Sequence, residues 1–143
     1  MAITINRTLR DGASTAAFEV VATGDALGDT DTIIDVSALS GASGDADERV
    51  RVKRIKAFVA GVENTAAAPD VETRVDLIWA GSGDVFMTLP VGSTDMQILC
   101  SPTAGSTGDI TFQSTANTSF TLHLFVEKTY GFFLSTAKLS PTP

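Results

Sequence analysis

The sequence is poor in the side chains that usually perform catalysis. Cys100 and His123 are its only cysteine and histidine among 143 residues. A single cysteine excludes an intramolecular disulfide, which fits synthesis in the reducing cytoplasm of a host cell. Nothing in the sequence brings these two residues together, so a Cys–His nucleophile pair is not predicted. We therefore expect a protein that is not an enzyme.

Long apolar segments and an excess of basic residues are missing as well. No apolar run approaches the roughly 20 residues that a membrane-spanning helix needs. Residues 1–7 lack the basic segment and apolar core of a secretion signal. The chain has 10 Lys and Arg against 17 Asp and Glu, a net charge of -7. Because such a chain is repelled by polyanions, we expect no nucleic-acid partner and no membrane partner.

Recognisable cofactor and metal motifs are also missing. The sequence has no zinc-ligand spacing, no phosphate-binding Gly-Lys-Ser/Thr loop and no dinucleotide fingerprint. We therefore expect neither a cofactor nor a metal. Two acidic clusters contain oxygen ligands of the kind that calcium prefers, but their spacings match no EF-hand loop, and we predict solvated turn carboxylates. The clusters are Asp25, Asp29 and Asp31, and Asp45, Asp47 and Glu48.

Three single residues are of types that often have a functional role, but the alternation of apolar and polar residues around each of them predicts a structural one. His123 lies on the outward phase and is predicted to be a half-exposed strand residue rather than a catalytic base. Cys100 follows Met96 and Ile98 on an apolar phase, which predicts a small buried hydrophobe. Trp79 shares the phase of the apolar residues before it, which predicts a core residue rather than a platform for a sugar.

What the sequence does contain is strand-like alternation of apolar and polar residues. Turn-forming Gly, Ser, Asp and Pro separate the alternating segments, and 43% of the residues are hydrophobic. This pattern predicts an all-β fold, a two-sheet antiparallel β-sandwich that is jelly-roll-like and has about eight strands. An immunoglobulin-like topology is the alternative, but its Cys…Trp…Cys arrangement is missing. The predicted strands are residues 16–22, 32–39, 49–60, 71–79, 85–89, 95–100, 109–114 and 120–126.

The ends of the chain fall outside this pattern. We assign residues 1–14 to an N-terminal arm, residues 15–128 to the β-sandwich domain and residues 129–143 to a C-terminal extension. The extension contains Tyr130, Phe132 and Phe133. Aromatic residues so near the end of the ordered core either cover that core or contact another subunit. Phe86 and Phe125 are the other aromatic residues that the pattern does not place inward.

The basic residues are concentrated in one strand. Five of the ten lie within residues 49–56, namely Arg49, Arg51, Lys53, Arg54 and Lys56. The adjacent pair Lys53 and Arg54 shifts the apolar phase by one residue, which predicts a β-bulge or a change of strand partners, so that the strand could serve both sheets. The cations either pair with carboxylates of the next strand, Glu72 and Asp76 being candidates, or bind an acidic protein surface. Nucleic-acid binding is less favoured, since no aromatic residues are interleaved with the charges.

The order of motifs from Thr32 onward resembles small virion structural proteins of short-tailed, often marine, bacteriophages. The matching stretches are TIIDVSAL at 32–39, RVRVKRIKAFVAG at 49–61, VDLIWAGSGDVFMTLPVG at 75–92 and GSTGDITFQSTANTSFTLHLFVEK at 105–128. The family pattern has a basic strand after a Val-Asp-Val-Ser-Ala-Leu stretch, a Leu-x-Trp strand that leads to a Leu-Pro-x-Gly exit, and a final hairpin that ends in lysine. The resemblance covers about two-thirds of the chain, and both ends depart from it.

The resemblance implies a capsid decoration (cement) protein without enzymatic activity. Such a protein binds the major capsid protein lattice on the exterior of the virion and forms a homotrimer, and the family offers no catalytic residues to carry over. The expected partner-binding residues are the five basic residues of the strand together with Tyr130, Phe132 and Phe133. A receptor- or carbohydrate-binding module of a phage head or tail fibre is the alternative function.

Overall fold

The computed structural model describes residues 2–23, 29–42, 48–61, 73–115, 118–130 and 132, with only the backbone described at 2–5, 23, 29–31 and 130. Within these ranges the chain forms nine β-strands and one short 3-10 turn, Val36–Ala38. The strands are β1 Ala2–Asp11, β2 Thr15–Thr23, β3 Asp29–Ile34, β4 Arg49–Gly61, β5 Arg74–Trp79, β6 Asp84–Pro90, β7 Gly92–Cys100, β8 Ile110–Ser114 and β9 Thr118–Tyr130. Among the described residues, no helix is long and apolar enough to span a membrane.

The strands form two antiparallel sheets, and the predicted all-β sandwich is confirmed. One sheet has the order β1-β2-β9-β4-β7 and the other the order β3-β8-β5-β6. The pairing of the eight strands β2 to β9 is nested: the first pairs with the last, the second with the second-last, and so on. The pairs are β2 with β9, β3 with β8, β4 with β7 and β5 with β6. This nested pairing is that of an eight-stranded jelly roll. The ninth strand, β1, comes from the segment that we assigned to an arm and pairs with β2 at the sheet edge.

The bulge predicted at Lys53 and Arg54 is present. The register of β4 shifts between Val52 and Arg54 against both of its neighbours, β7 and β9. The shift keeps Val52 and Ile55 on the buried side although they are an odd number of residues apart. The expectation that this strand serves both sheets is wrong, because in the described residues it pairs only with strands of the five-stranded sheet.

The strand predicted for residues 32–39 is shorter than expected. Pairing with β8 ends at Ile34, and Asp35 then caps the 3-10 turn by accepting a hydrogen bond from the Ser37 amide, at 3.0 Å. Asp35 also accepts a bond from the Ser37 hydroxyl, at 2.6 Å. An aspartate inside an apolar segment competes for the backbone in this way, which ends the strand.

The core lies between the two sheets and contains the inward residues that alternation predicts. Trp79 is completely buried, as expected, and its ring stacks on Phe86 with 4.6 Å between the centroids. The interpretation of Phe86 as a loose aromatic is therefore wrong, because this ring packs against the core. Phe112 and Phe120 meet edge to face at 5.0 Å and join β8 of one sheet to β9 of the other.

A buried cation ties the end of β9 to two other segments. The Lys128 side chain has no exposed surface, and its Nζ donates to the Asp11 carboxylate at 2.5 Å, to the Gly12 carbonyl at 2.6 Å and to the Ser40 carbonyl at 2.7 Å. The same ammonium lies 5.3 Å from the Phe132 ring centroid. All three protons of the ammonium are thereby bonded, which is the condition for burying a lysine charge.

Candidate partner surface

The basic strand β4 lies in the interior of the five-stranded sheet, between β9 and β7. Its inward residues belong to the core, so its basic residues face the outside of the molecule or the edge of the sandwich. Arg51, Arg54 and Lys56 fall on the outward phase, and Lys53 lies in the bulge. We call this outer side of the five-stranded sheet the outer face. It is the surface on which the predicted partner-binding residues can be tested.

Arg49 differs from the other cations of the strand because its guanidinium donates to backbone carbonyls rather than to a carboxylate. It donates to the carbonyls of Glu48 at 2.7 Å, Ser106 at 3.1 Å and Thr107 at 3.1 Å. These bonds join the start of β4 to the loop before β8. Gly108 completes the contact, since a Cβ there would lie 2.5 Å from the Glu48 carbonyl oxygen. Arg49 therefore contributes to the fold at the position where a partner contact was expected.

Arg51 and Lys53 share one carboxylate across the sheet. Arg51 pairs with Glu127 of β9, and the Lys53 ammonium lies 3.5 Å from the other oxygen of that carboxylate. The hydrogen bond from Arg51 holds the pKa of Glu127 below its ordinary value, with smaller contributions from Lys53. The two cations leave one net positive charge at this position of the outer face.

Arg54 makes a forked ion pair with the edge strand. Its Nε and Nη2 atoms each lie 3.1 Å from an oxygen of Asp95 on β7. This pair lowers the pKa of Asp95 and raises that of Arg54, in both cases chiefly through the hydrogen bond. The guanidinium also lies 5.7 Å from the centroid of the Phe125 ring.

Of the two carboxylates that we expected to pair with the basic strand, Asp76 was wrongly chosen. Asp76 lies on β5 in the opposite sheet, where it pairs with Arg74 at 3.3 Å and accepts a bond from the Thr88 hydroxyl at 2.8 Å. Glu72 lies outside the described residues. The reason is topological: in a jelly roll, consecutive strands β4 and β5 belong to different sheets, so carboxylates near in sequence are far in space.

Lys56 and Phe58 are the most available groups of the outer face. Lys56 is exposed, and within the described part of the chain no ion pair engages it. Phe58 has 55% of its surface exposed, although it lies in the middle of a sheet. The two border a shallow hollow of about 200 Å³ that is also lined by Ser93, Thr94, Asp95, Thr121 and His123. Phe58 was not among our predicted site residues, but the buried phase of Ile55, Ala57 and Val59 already points it outward.

His123 is half-exposed on the outer face, as predicted. Its Nε2 lies 2.8 Å from one oxygen of Glu19, and Arg7 approaches the other oxygen at 2.6 Å. The hydrogen bond with His123 lowers the pKa of Glu19, and the charge of Arg7 adds to the effect. His123 thus belongs to a row of paired residues that crosses all five strands of the sheet. In order the row is Arg7, Glu19, His123, Lys56 and Asp95.

The terminal aromatic residues of the predicted site are only partly described. Tyr130 ends β9, opposite Arg49, and Phe132 forms a single bridge with Ala42 and packs against the core. For Phe132, covering its own core is therefore the alternative that the structure supports. Phe133 lies outside the described residues. Phe132 therefore does not join the basic residues of β4 in one patch on the outer face.

The remaining candidate chemical groups lie apart from the outer face. Cys100 is half-buried rather than fully buried, and burial raises the pKa of its thiol, which makes the reactive thiolate scarcer. Glu48 was predicted to be a solvated turn carboxylate, but it is 1% exposed, so this prediction is wrong. Asp25, Asp45 and Asp47 lie outside the described residues. No group of three or more potential metal ligands occurs among the residues that are described.

No protein-family model matches the chain, and no curated protein sequence matches it. Arguments about function therefore rest on the residues themselves and on the geometry of the surface that they form.

Proposed function

We propose that this protein is a non-enzymatic decoration (cement) protein of a bacteriophage head, which binds the major capsid protein lattice from outside and stabilises the capsid as a homotrimer. The motif order of residues 32–128 supports this proposal, because it resembles virion structural proteins. The jelly-roll topology is compatible with it, since this architecture recurs in viral capsid proteins and in lectins.

The single observation that carries the proposal is the outer face around Lys56 and Phe58. An exposed aromatic ring on an interior strand, beside a cation for which the described residues supply no ion pair, offers apolar area and charge to a partner. The surrounding cations are oriented by their own carboxylates, so they are held in place before binding. A broad surface of this kind suits a protein partner, for which aromatic and basic residues dominate the binding energy.

Weak contacts at each copy suffice for stable attachment. A trimer that presents three such faces to a repeating lattice gains avidity, because the second and third contacts form at high effective concentration. Binding would then require no single strong site. It would also be weakened by salt, since exposed charges are screened within about 10 Å at 0.1 M ionic strength.

The test is cosedimentation with empty heads assembled from the capsid protein of the phage that encodes this chain. Lys56→Glu should weaken binding, by about 0.2–1 kcal/mol per copy, which over a trimer is a roughly 3- to 150-fold lower affinity. Arg74→Glu is the matched control, because it makes the same charge change on the opposite sheet. Equal effects of the two variants would refute the outer face as the docking surface. No cosedimentation of the unaltered protein would refute the function.

A carbohydrate-binding function is the second candidate, and the hollow at Phe58 favours it. An exposed aromatic ring with carboxylate, hydroxyl and imidazole groups around it is able to stack a sugar ring and bond its hydroxyls. A glycan array would detect such binding, and Phe58→Ala should abolish it while Val85→Ala, an exposed apolar position on the other sheet, should not. Array signals that persist in Phe58→Ala would remove this candidate.

A further inference from the structure

The five-stranded sheet has two free edges of different chemistry. Its outermost strands are β1 and β7, and in the described residues neither has a neighbour on its outer side. Free edges present unpaired backbone donors and acceptors, and natural proteins usually protect them with charges or cover them. The two edges of this sheet differ in how far they are protected, and that difference indicates what covers them.

The β7 edge is apolar and poorly protected. Asp95 is the only charged residue among the nine of β7, and it is already paired with Arg54. Leu99 is 65% exposed and Met96 is 37% exposed, and Val91 in the preceding turn is 57% exposed. Three exposed aliphatic side chains thus lie along an edge strand that has no unpaired charge to protect it.

The β1 edge carries exposed cations, whereas the one charged residue of the β7 edge is an anion. Arg7 and Arg10 are both exposed on this strand, and Leu9 between them is 48% exposed. Leu9 occupies a register shift of β1 against β2, between Thr8 and Arg10, so its side chain is left out of the regular alternation. The edge therefore offers one apolar group flanked by two cations.

The strand register places complementary groups of the two edges at matching heights. Arg7 and Asp95 are the two ends of the same cross-sheet row, which begins with a cation on β1 and ends with an anion on β7. In the next row on the same face, two rows along, Arg10 and Gln97 are the ends. Two copies placed side by side with their rows aligned would set Arg7 beside Asp95 and Leu9 beside the Gln97–Leu99 stretch.

We propose that copies of this chain associate head to tail, with the β1 edge of one copy against the β7 edge of the next. Such a heterologous contact uses two different surfaces, and it forms a ring where the rotation between copies closes and an open filament where it does not. The inference shares with the proposed function only the expectation of a homo-oligomer, and it concerns contacts between copies rather than contacts with a capsid. Pairing β7 with β7 of a second copy is the competing arrangement, which leaves the cations of β1 unused.

The test uses two variants that each block one edge. Leu99→Glu places a charge on the β7 edge and Leu9→Glu on the β1 edge, and both positions are exposed enough to accept it. Sedimentation equilibrium should find the unaltered protein oligomeric and each variant monomeric. An equimolar mixture of the variants should form a 1:1 dimer, because each variant retains the edge that the other lacks. Circular dichroism of each variant checks that it is folded.

Ala60→Glu is the matched control, since it adds the same charge at an exposed position of β4, away from both edges. It should leave the oligomer intact. A monomeric unaltered protein at the highest soluble concentration, or a mixture that gives no dimer, would overturn the inference. An oligomeric Leu9→Glu variant would also overturn it and, together with a monomeric Leu99→Glu variant, would favour the β7-to-β7 arrangement. Each of these outcomes is independent of capsid cosedimentation, so failure here is distinguishable from failure of the proposed function.

Discussion

The buried ammonium of Lys128 provides the sharpest prediction about stability. Lys128→Met keeps most of the side-chain volume but removes the charge and three hydrogen bonds, of which one goes to the Asp11 carboxylate and two go to backbone carbonyls. All three bonds are donated by a charged group, and such a bond contributes roughly 1.5–3 kcal/mol when it is taken alone. Because the three bonds form one cluster and do not add independently, we expect the roughly 3–5 kcal/mol that follows from removing one partner of a buried ion pair.

Urea denaturation followed by tryptophan fluorescence would measure this loss, because the single tryptophan, Trp79, is fully buried. With a slope of about 2 kcal/mol per molar urea, the midpoint should fall by roughly 1.5–2.5 M. Lys53→Met is the matched control, since that lysine is about half exposed and pairs with Glu127 only at 3.5 Å. It should change the free energy of unfolding by less than about 1 kcal/mol.

A double-mutant cycle with Asp11→Ala separates the ion pair from the rest of the cluster. The two changes together should cost less than the sum of the single changes, by about 1–3 kcal/mol, because each single change leaves the other group without its partner. A loss below about 1 kcal/mol for Lys128→Met would refute the reasoning, as it would show that the ammonium contributes no more than a surface lysine.

Two further predictions concern pH and backbone geometry. Three carboxyls of the outer face have pKa values that their partners hold below the ordinary range. Their contribution to stability is therefore present above that range and is lost as pH falls through the lower pKa values of the folded state. The free energy of unfolding should decrease below about pH 4.5, and a flat profile from pH 7 to 3 would contradict this prediction. These carboxyls are Glu19, Asp95 and Glu127. Gly108→Ala should destabilise by more than about 2 kcal/mol, since φ is 91° and a Cβ would meet the Glu48 carbonyl at 2.5 Å. Gly83→Ala, with φ 75° and open space around it, should cost about 1 kcal/mol; equal thermal-melt shifts would show that the close contact does not matter.

The strands and their inward faces were predictable because alternation is a local signal. The bulge in β4 is an instance: the adjacent pair Lys53 and Arg54 interrupts an alternation that resumes at Ile55, and the register shift occurs at that point. Which strands become neighbours was not predictable from a local signal, because the pairing of β4 with β9 joins residues some 70 positions apart in the sequence. The wrong assignment of Asp76 as a partner of the basic strand follows from that long-range choice.

Two buried charges were missed although the pattern contained them. Lys128 continues the buried phase of Leu124 and Val126, and Glu48 precedes Val50 on the buried phase of β4. Charged residues are almost never fully buried unless they are paired. The charge of these side chains therefore predicted exposure, whereas their phase in the strand alternation predicted burial. The side chain follows the buried phase where the structure supplies hydrogen-bond partners for the charge, as one carboxylate and two carbonyls do for the Lys128 ammonium.

The position of β9 in its sheet has a consequence for how this chain folds during synthesis. Among the described strands, β9 is the last in sequence but lies in the middle of its sheet, with β2 on one side and β4 on the other. Until β9 has emerged from the ribosome, the hairpin of β1 and β2 and the pair of β4 and β7 have no strand to join them. The five-stranded sheet can therefore form only after residue 130 has been synthesised, and the many distant pairings should make its folding slow, on the millisecond-to-second scale of all-β domains. A nascent chain arrested before residue 118 should thus remain sensitive to protease.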